Sequence, residues 1–328
     1  MPKDRYSAVI IGAGSIGALK PDKYDSPNTE NILTHAHAIY NNPETELIAI
    51  VDNDIDKANK AADKWSCKPL YDLQDAPFLY GSDIYVVATP THTHKRILES
   101  VLTLKPKIVI AEKPFTRGFI EAKMVSDLYE KNNIPLVVNY SRRFTFEYGQ
   151  IKEMIDSEKW GKVLNCNFYY NRGLKHEGCH AIDLFNYFFG ELIDGNIILD
   201  NSICDYSQFD PTYAAFFTYQ KCPYIFMFPV DGRKISIFEM NIMFEKARVS
   251  FVDHGTKLNI YELTTEEIYD NTKVLSSTPT KTINTQLTKS LSCLIDNTVN
   301  YLDGNMDFLL CTDKDAIEVH EVYYAIGL

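Results

Sequence analysis

The sequence predicts an α/β protein, with an N-terminal doubly wound parallel sheet and a C-terminal α+β domain built on an open, mostly antiparallel sheet. Three observations carry this. Short apolar runs alternate with helical patterns through residues 6–140; the first run ends in glycines spaced G-x-G-x-x-G; and beyond residue 190 strand-like runs follow one another without helices between them. A chain of 328 residues is expected to hold two domains, here 1–140 and 141–328, with the last helix placed where it could pack back on the first.

Tyr6–Gly17 reads YSAVIIGAGSIG. An uncharged, β-branched run entering a glycine turn is the pattern of a buried parallel strand. Gly12 permits the tight turn, Gly14 lets a pyrophosphate approach the backbone, and Gly17 lets helix and strand pack closely. The N–H groups that follow, at Ser15 and Ile16, open the next helix and would face the phosphates. Taken alone, the same motif also reads as a bare glycine turn. Lys20-Pro21-Asp22 and Pro27 then break the expected helix, whose pattern resumes near Thr34 with HAHAIYNN. This insertion lies at the ligand end of such sheets, and Lys20 to Glu30 is read either as a plain surface loop or as a lid over the cofactor cleft.

Glu46–Asp52 is a second buried strand that ends in an acid. Asp52 suits the hydroxyls of an adenosine ribose, and the bland alternative is a helix N-cap. No Arg lies between Val51 and Lys64, and Asp52 and Asp54 would repel a 2′-phosphate, so NAD(H) is expected over NADP(H). Asp83–Thr89 and Lys107–Ala111 are further strands; the first leads through Pro90 into a helix, the second into Glu112-Lys113-Pro114. A helix over Arg117–Lys131 and a strand over Pro135–Asn139 complete the alternation.

In the second half, helices are expected over Phe146–Ser157 and Gly178–Phe189, with a strand over Lys162–Tyr170 between them. Strand-like runs follow near 192–200 and in AAFFTYQ, YIFMFPV, KISIFEMNIMF, ARVSFV and KLNIYEL. Helices over Thr285–Leu302 and Thr312–Ile326 close the chain.

Lys plus Arg is 33 against 44 Asp plus Glu, a net charge of −11, which argues against nucleic acid or an anionic membrane as partner. The seven cysteines are scattered and form no C-x-x-C pair, as expected of reduced thiols in a cytoplasmic protein. The first apolar run stops at Gly12 without a cleavage site, and no run approaches the roughly 18 residues of a membrane span.

Three stretches carry the chemistry: GAGSIG with Asp52, AEKPFT at 111–116, and GCHAIDLFNYFFG at 178–190. With TPTHTH at 89–94 and NYSRRF at 139–144, they resemble the glucose–fructose oxidoreductase, inositol dehydrogenase and MocA (Gfo/Idh/MocA) family along nearly the whole chain. The resemblance implies a Rossmann domain and hydride transfer between a nicotinamide cofactor and a hydroxyl or keto carbon of a sugar, cyclitol or nucleotide-linked sugar. It also implies homodimers or homotetramers built on the C-terminal sheet. The site it implies has Lys113 and His180 as catalytic residues, and His176, Asp183, Arg143 and Arg172 as substrate contacts. Thr89, Pro90, His94, Glu112 and Lys113 join Gly12, Gly14, Ser15, Ile16, Gly17 and Asp52 on the cofactor.

The reaction explains the residue types. Oxidising a carbinol takes a hydride from carbon and a proton from oxygen. The proton needs a base that titrates near neutrality, which histidine supplies, and a lysine can orient the oxygen and stabilise its developing charge. One position departs from the pattern: His176 stands where many members carry an Asp four residues before the histidine. A catalytically inactive dinucleotide-binding regulator of the same fold therefore stays open as a second reading. His176–His180 also spells H-E-x-x-H, so a zinc hydrolase is a distant third. Gly178 weakens the required helix and no third His follows at the metzincin spacing, so no metal is expected. The pairs His35/His37 and His92/His94 are not expected to be metal ligands and are read as structural or rim residues.

Overall fold

The computed structural model describes residues 5–73, 77–266 and 272–328. They form two compact units, Met1–Phe144 with Thr288–His320, and Thr145–Leu287 with Glu321–Leu328. Among the described residues no helix is long and apolar enough to cross a membrane.

The first unit is built on β1 (Tyr6–Ile11), β2 (Thr45–Val51), β3 (Lys68–Leu70), β4 (Ile84–Val87), β5 (Ile108–Ala111) and β6 (Leu136–Val138). All pair in parallel, in the order β3-β2-β1-β4-β5-β6. Every residue of β4, β5 and β6 is buried, because helices cover both faces of such a sheet and leave no solvated side to alternate with. The helices are α1 (His35–Asn41), α2 (Ile55–Trp65), α3 (Thr91–Leu102) and α4 (Phe119–Lys131). The strand order reverses between β1 and β4, which opens a crevice at their carboxyl ends.

Sequence reasoning missed β3, which has three residues, one of them Pro69; a proline is tolerated there because the strand lies at the sheet edge. The inserted segment leaves a helical turn intact. The N–H groups of His35 and Ala36 bond the carbonyls of Ile16 and Gly17, nineteen positions back in sequence, where a continuous helix spans four. The insertion is thus a loop let out of a helix that closes again behind it. Its first residues contact α2: Lys64 Nζ reaches the Lys20 carbonyl and the Asp22 carboxylate, and just before it the Ala18 carbonyl accepts the Trp65 indole N–H at 2.9 Å. Asp25 inside it is wholly buried.

The second unit holds α5 (Phe146–Asp156), β7 (Val163–Tyr170), α6 (Gly178–Phe189), β8 (Leu192–Ser207), β9 (Asp210–Tyr219), β10 (Cys222–Pro229), β11 (Phe238–Phe244), β12 (Ala247–Val252), β13 (Lys257–Glu266), β14 (Thr272–Leu275) and β15 (Lys281–Asn284). These strands form one nine-stranded sheet in the order β14-β13-β12-β11-β7-β10-β9-β8, with β15 on β13. It is mixed: β7 and β10 pair in parallel and the other pairs are antiparallel. On one face Phe168, Phe217 and Tyr219 pack on Phe185 of α6, with Phe238 edge-on to Phe168, each ring contributing roughly 1.5–3 kcal/mol by burial. The other face carries a ladder of half-exposed rings, Tyr169, Phe228, Phe226 and Phe216, with centroids 5.2–6.1 Å apart.

The closing helices are α7 (Ser290–Leu302) and α8 (Asp313–Ala325). α7 packs on α1 in the first unit, where Tyr6 Oη donates to Asp303 at 2.6 Å.

Candidate active site

In the first unit the crevice at the strand-order reversal is a cleft of about 560 Å³, lined by Gly12, Gly14, Asp52, Thr89, Pro90 and Arg96 among others. Gly12 has φ +105°, and a Cβ there would lie 2.5 Å from the Ala88 carbonyl oxygen, so only glycine fits the turn. A Cβ at Gly17 would come closer still to the Gly12 carbonyl oxygen. At Gly14 an added Cβ meets nothing within 4 Å: that backbone faces open space, as a backbone that must admit a pyrophosphate would. Asp52 closes the cleft at the end of β2, its carboxylate accepting the Ala13 N–H at 2.7 Å and the Asp54 N–H at 2.9 Å. The N-cap of α2 is Asp54, so the capping role weighed for Asp52 falls to its neighbour. These residues fit a dinucleotide.

The structure also brings cations to this cleft that spacing in sequence did not reach. Arg96 comes from α3, and Lys57, 3.2 Å from Asp54, comes from α2. Ser15 and Ile16 lie in the glycine turn, with Ser15 exposed. His94 stands behind the cleft, fully buried, one ring nitrogen on the Thr89 carbonyl and the other on that of Phe115. Its contacts hold the β4–α3 and β5–α4 connections together.

Glu112 and Lys113 leave β5 at the same end of the sheet. The Glu112 side chain is turned inward: Oε1 accepts from His35 Nε2 at 2.7 Å and Asn139 Nδ2 at 2.6 Å, and Oε2 accepts the Lys113 N–H at 3.3 Å. Burial alone would raise this carboxyl. The hydrogen bond and charge of His35, the Asn139 amide and the Lys113 charge outweigh it and hold Glu112 below the usual carboxylate range. Arg143 is buried and pairs with Asp315 at 2.5 Å.

In the second unit α6 carries His180 and Asp183 one turn apart, both buried, with the His180 ring edge-on to Phe238 at 6.3 Å. A π-helical turn, Gly173–Glu177, precedes α6 and carries His176. Asp210 grips this turn, accepting the Lys175 N–H at 2.8 Å and the His176 N–H at 2.9 Å. Burial outweighs those bonds and raises the Asp210 carboxyl. The His176 ring lies flat on Tyr206 at 4.1 Å, with the Arg172 guanidinium 5.9 Å from the same ring. His176 and Arg172 thus share one half-exposed surface, whereas His180 is buried in the helix behind it. Among the described residues no group of three or more His, Cys, Asp or Glu side chains is placed to hold a metal ion.

Residues 6–140 match the model of an oxidoreductase family with an NAD-binding Rossmann fold, Gfo/Idh/MocA. Over that stretch the chain is similar to this family. The scyllo-inositol 2-dehydrogenase (NAD(+)) of Bacillus subtilis is 27% identical over 202 residues, which cover 60% of this chain and 51% of that protein. The chain spans about half the length of the curated relatives it matches. Among solved structures, a putative NADPH-dependent oxidoreductase of Desulfitobacterium hafniense has a TM-score of 0.76 at 13% identity, over 99% of this chain and 95% of that one. The WlbA dehydrogenase of Bordetella pertussis, in complex with NADH and UDP-GlcNAcA, has a TM-score of 0.72 at 14% identity, over 98% and 95%. At such identities the likeness is one of fold.

Sequence reasoning missed Asp25, Asn139 and Asp210. A polar segment and a strand end give no signal that Asp25 and Asn139 are buried, and a hairpin gives none that Asp210 grips the π-helical turn; only their partners, distant in sequence, reveal it.

Proposed function

We propose that this chain is an NAD(H)-dependent oxidoreductase acting on a hydroxyl or keto carbon of a sugar, cyclitol or nucleotide-linked sugar. The observation that carries the reading is the cleft at the β1/β4 reversal, with open backbone at Gly14 and Asp52 at its end. When bound there, a nicotinamide cofactor accepts or donates the hydride. Gly12 to Gly17 hold its pyrophosphate and Asp52 its ribose hydroxyls. His180 takes the hydroxyl proton, and Lys113 orients that oxygen and stabilises its charge. His176, Arg172, Asp183 and Arg143 are assigned to the substrate side, the first two on the strength of the shared surface beside Tyr206.

NAD(H) is the preferred form. Asp52 and Asp72 in the cleft disfavour a 2′-phosphate, against Lys57 and Arg96, and Lys57 is engaged by Asp54. The half-exposed ring ladder on the open sheet face supports assembly of identical subunits through that face. The free thiols fit a reducing, cytoplasmic setting.

The test is reduction of NAD⁺ and NADP⁺ with a panel of cyclitols, free sugars and nucleotide-linked sugars, beside direct titration with NADH. Turnover on one class establishes the enzyme and its substrate. Tight NADH binding without turnover on any class favours the regulator, and no binding at all refutes the cleft assignment.

A further inference from the structure

The inserted segment, the start of α1 and the residues after β5 are joined by two buried sets of polar contacts that meet on the α1 backbone. Asp25, in the insertion, accepts the Leu33 N–H at 2.7 Å and the Thr34 hydroxyl at 2.7 Å, and pairs with His37 Nδ1 at 2.9 Å. Thr34 is the N-cap of α1, and His35 lies between the two anchors Thr34 and His37. Asp25 and His35 are 0% exposed and Glu112 is 6% exposed, so each bond forms where water does not compete. An ionised carboxylate only accepts, so His35 Nε2 is the donor to Glu112 Oε1. The other oxygen of that carboxylate accepts the backbone N–H of Lys113. From the remaining side, Asn139 donates to Glu112. The groups that bear on Glu112 are therefore His35 from α1, Asn139 from the end of β6, and Lys113 itself.

We infer that the inserted segment is a brace for Lys113: Asp25 fixes the start of α1, which fixes His35, which with Asn139 holds the Glu112 carboxylate that anchors the Lys113 backbone. His35 and Asp25 are positioning residues under this inference, and neither touches substrate. The arrangement also explains why a loop let out of a helix carries a fully buried aspartate. A loop that only filled space on the surface would have no need of one, since an unpaired buried carboxylate is strongly disfavoured. The role for Lys113 rests on the dehydrogenase reading proposed above.

The experiment uses the full chain with His35→Leu, His35→Gln and Asp25→Asn, and Glu112→Gln as a near-isosteric control should His35→Leu fail to fold. Gln at 35 can still offer an N–H donor to Glu112; Leu cannot. Two readouts are taken. The first needs no substrate: the rate of Lys113 acylation by an amine-reactive reagent, followed by mass spectrometry relative to Lys221. His35→Leu and Glu112→Gln should shift that ratio by more than about threefold, His35→Gln should restore it, and Asp25→Asn should fall between. The second is kinetic: kcat should fall about 10- to 100-fold in His35→Leu, the scale expected for a misplaced catalytic group, with NADH affinity and KM little changed. An unchanged acylation ratio in His35→Leu and Glu112→Gln overturns the brace, as does a His35→Gln variant that falls as far as His35→Leu, which would mark plain packing. If no substrate is turned over by the wild type, the dehydrogenase reading fails, and the acylation ratio still decides the brace.

Discussion

Gly12→Ala and Gly14→Ala should separate folding from cofactor binding within one turn. At Gly12 the φ of +105° is hostile to a side chain, and a residue held in such a region costs about 1–3 kcal/mol. The new methyl would also stand 2.5 Å from the Ala88 oxygen, where backbone must move. Overpacking of that kind adds about 1–3 kcal/mol, so Gly12→Ala should lose about 3 kcal/mol or more out of a total stability of about 5–15. At Gly14 the methyl meets no protein atom within 4 Å and φ is not positive, so stability should stay within about 0.5 kcal/mol of wild type. The same methyl would enter the space assigned to the pyrophosphate, so NADH affinity should fall at least about tenfold, or 1.4 kcal/mol. Denaturant unfolding and NADH titration of both variants make the comparison. If Gly14→Ala binds NADH as tightly as wild type, the pyrophosphate does not approach there; if it unfolds as easily as Gly12→Ala, the open-backbone argument is wrong.

His180→Ala should leave NADH affinity nearly intact and lower turnover by about 10² to 10⁴, the usual contribution of a positioned acid or base; near-normal turnover would move that role to His176 or Lys113. NAD(H) should bind at least about tenfold tighter than NADP(H), Asp52→Ala should narrow the gap, and Arg96→Ala should weaken NADP(H) more than NAD(H); equal affinities in the wild type would leave Asp52 without a selective role. Asp25 and Glu112 are both held below their ordinary values of 3.8 and 4.5, burial opposing the shift and hydrogen bonds carrying it. Their contribution is complete above those values and is lost as pH falls through the lowered folded values, so protection of β5 amides relative to their intrinsic exchange rate should weaken as pH falls from about 4.5, and Asp25→Asn should flatten that dependence. Phe226→Glu with Phe228→Glu should shift light-scattering mass toward the monomer with folding preserved; an unchanged mass would direct assembly to another surface.

Much of the first unit was legible in the sequence because its elements are locally overdetermined. A buried parallel strand must be apolar along its length, and a turn with positive φ must be glycine, so β1 and Gly12 announce themselves without reference to the rest of the chain. α6 was placed residue for residue, since Gly178 and Gly190 bracket an apolar helical run. The chemistry proposed for Lys113 and His180 was readable only as a motif, because nothing local says what a lysine or a histidine will face. Burial of the polar residues was not readable at all. Asp25, in a polar loop, is wholly buried because Thr34 and His37 satisfy it, and Glu112 turns inward because His35 and Asn139 meet it there. The cleft, likewise, gains Arg96 only when α3 packs beside β4. Local sequence determined which segments are strand, turn or helix, since those choices depend on sterics and hydrophobic period within a few residues. Which polar groups may be buried, and which charges share a cleft, depends on hydrogen-bond partners tens of residues away, and only the tertiary structure supplies those.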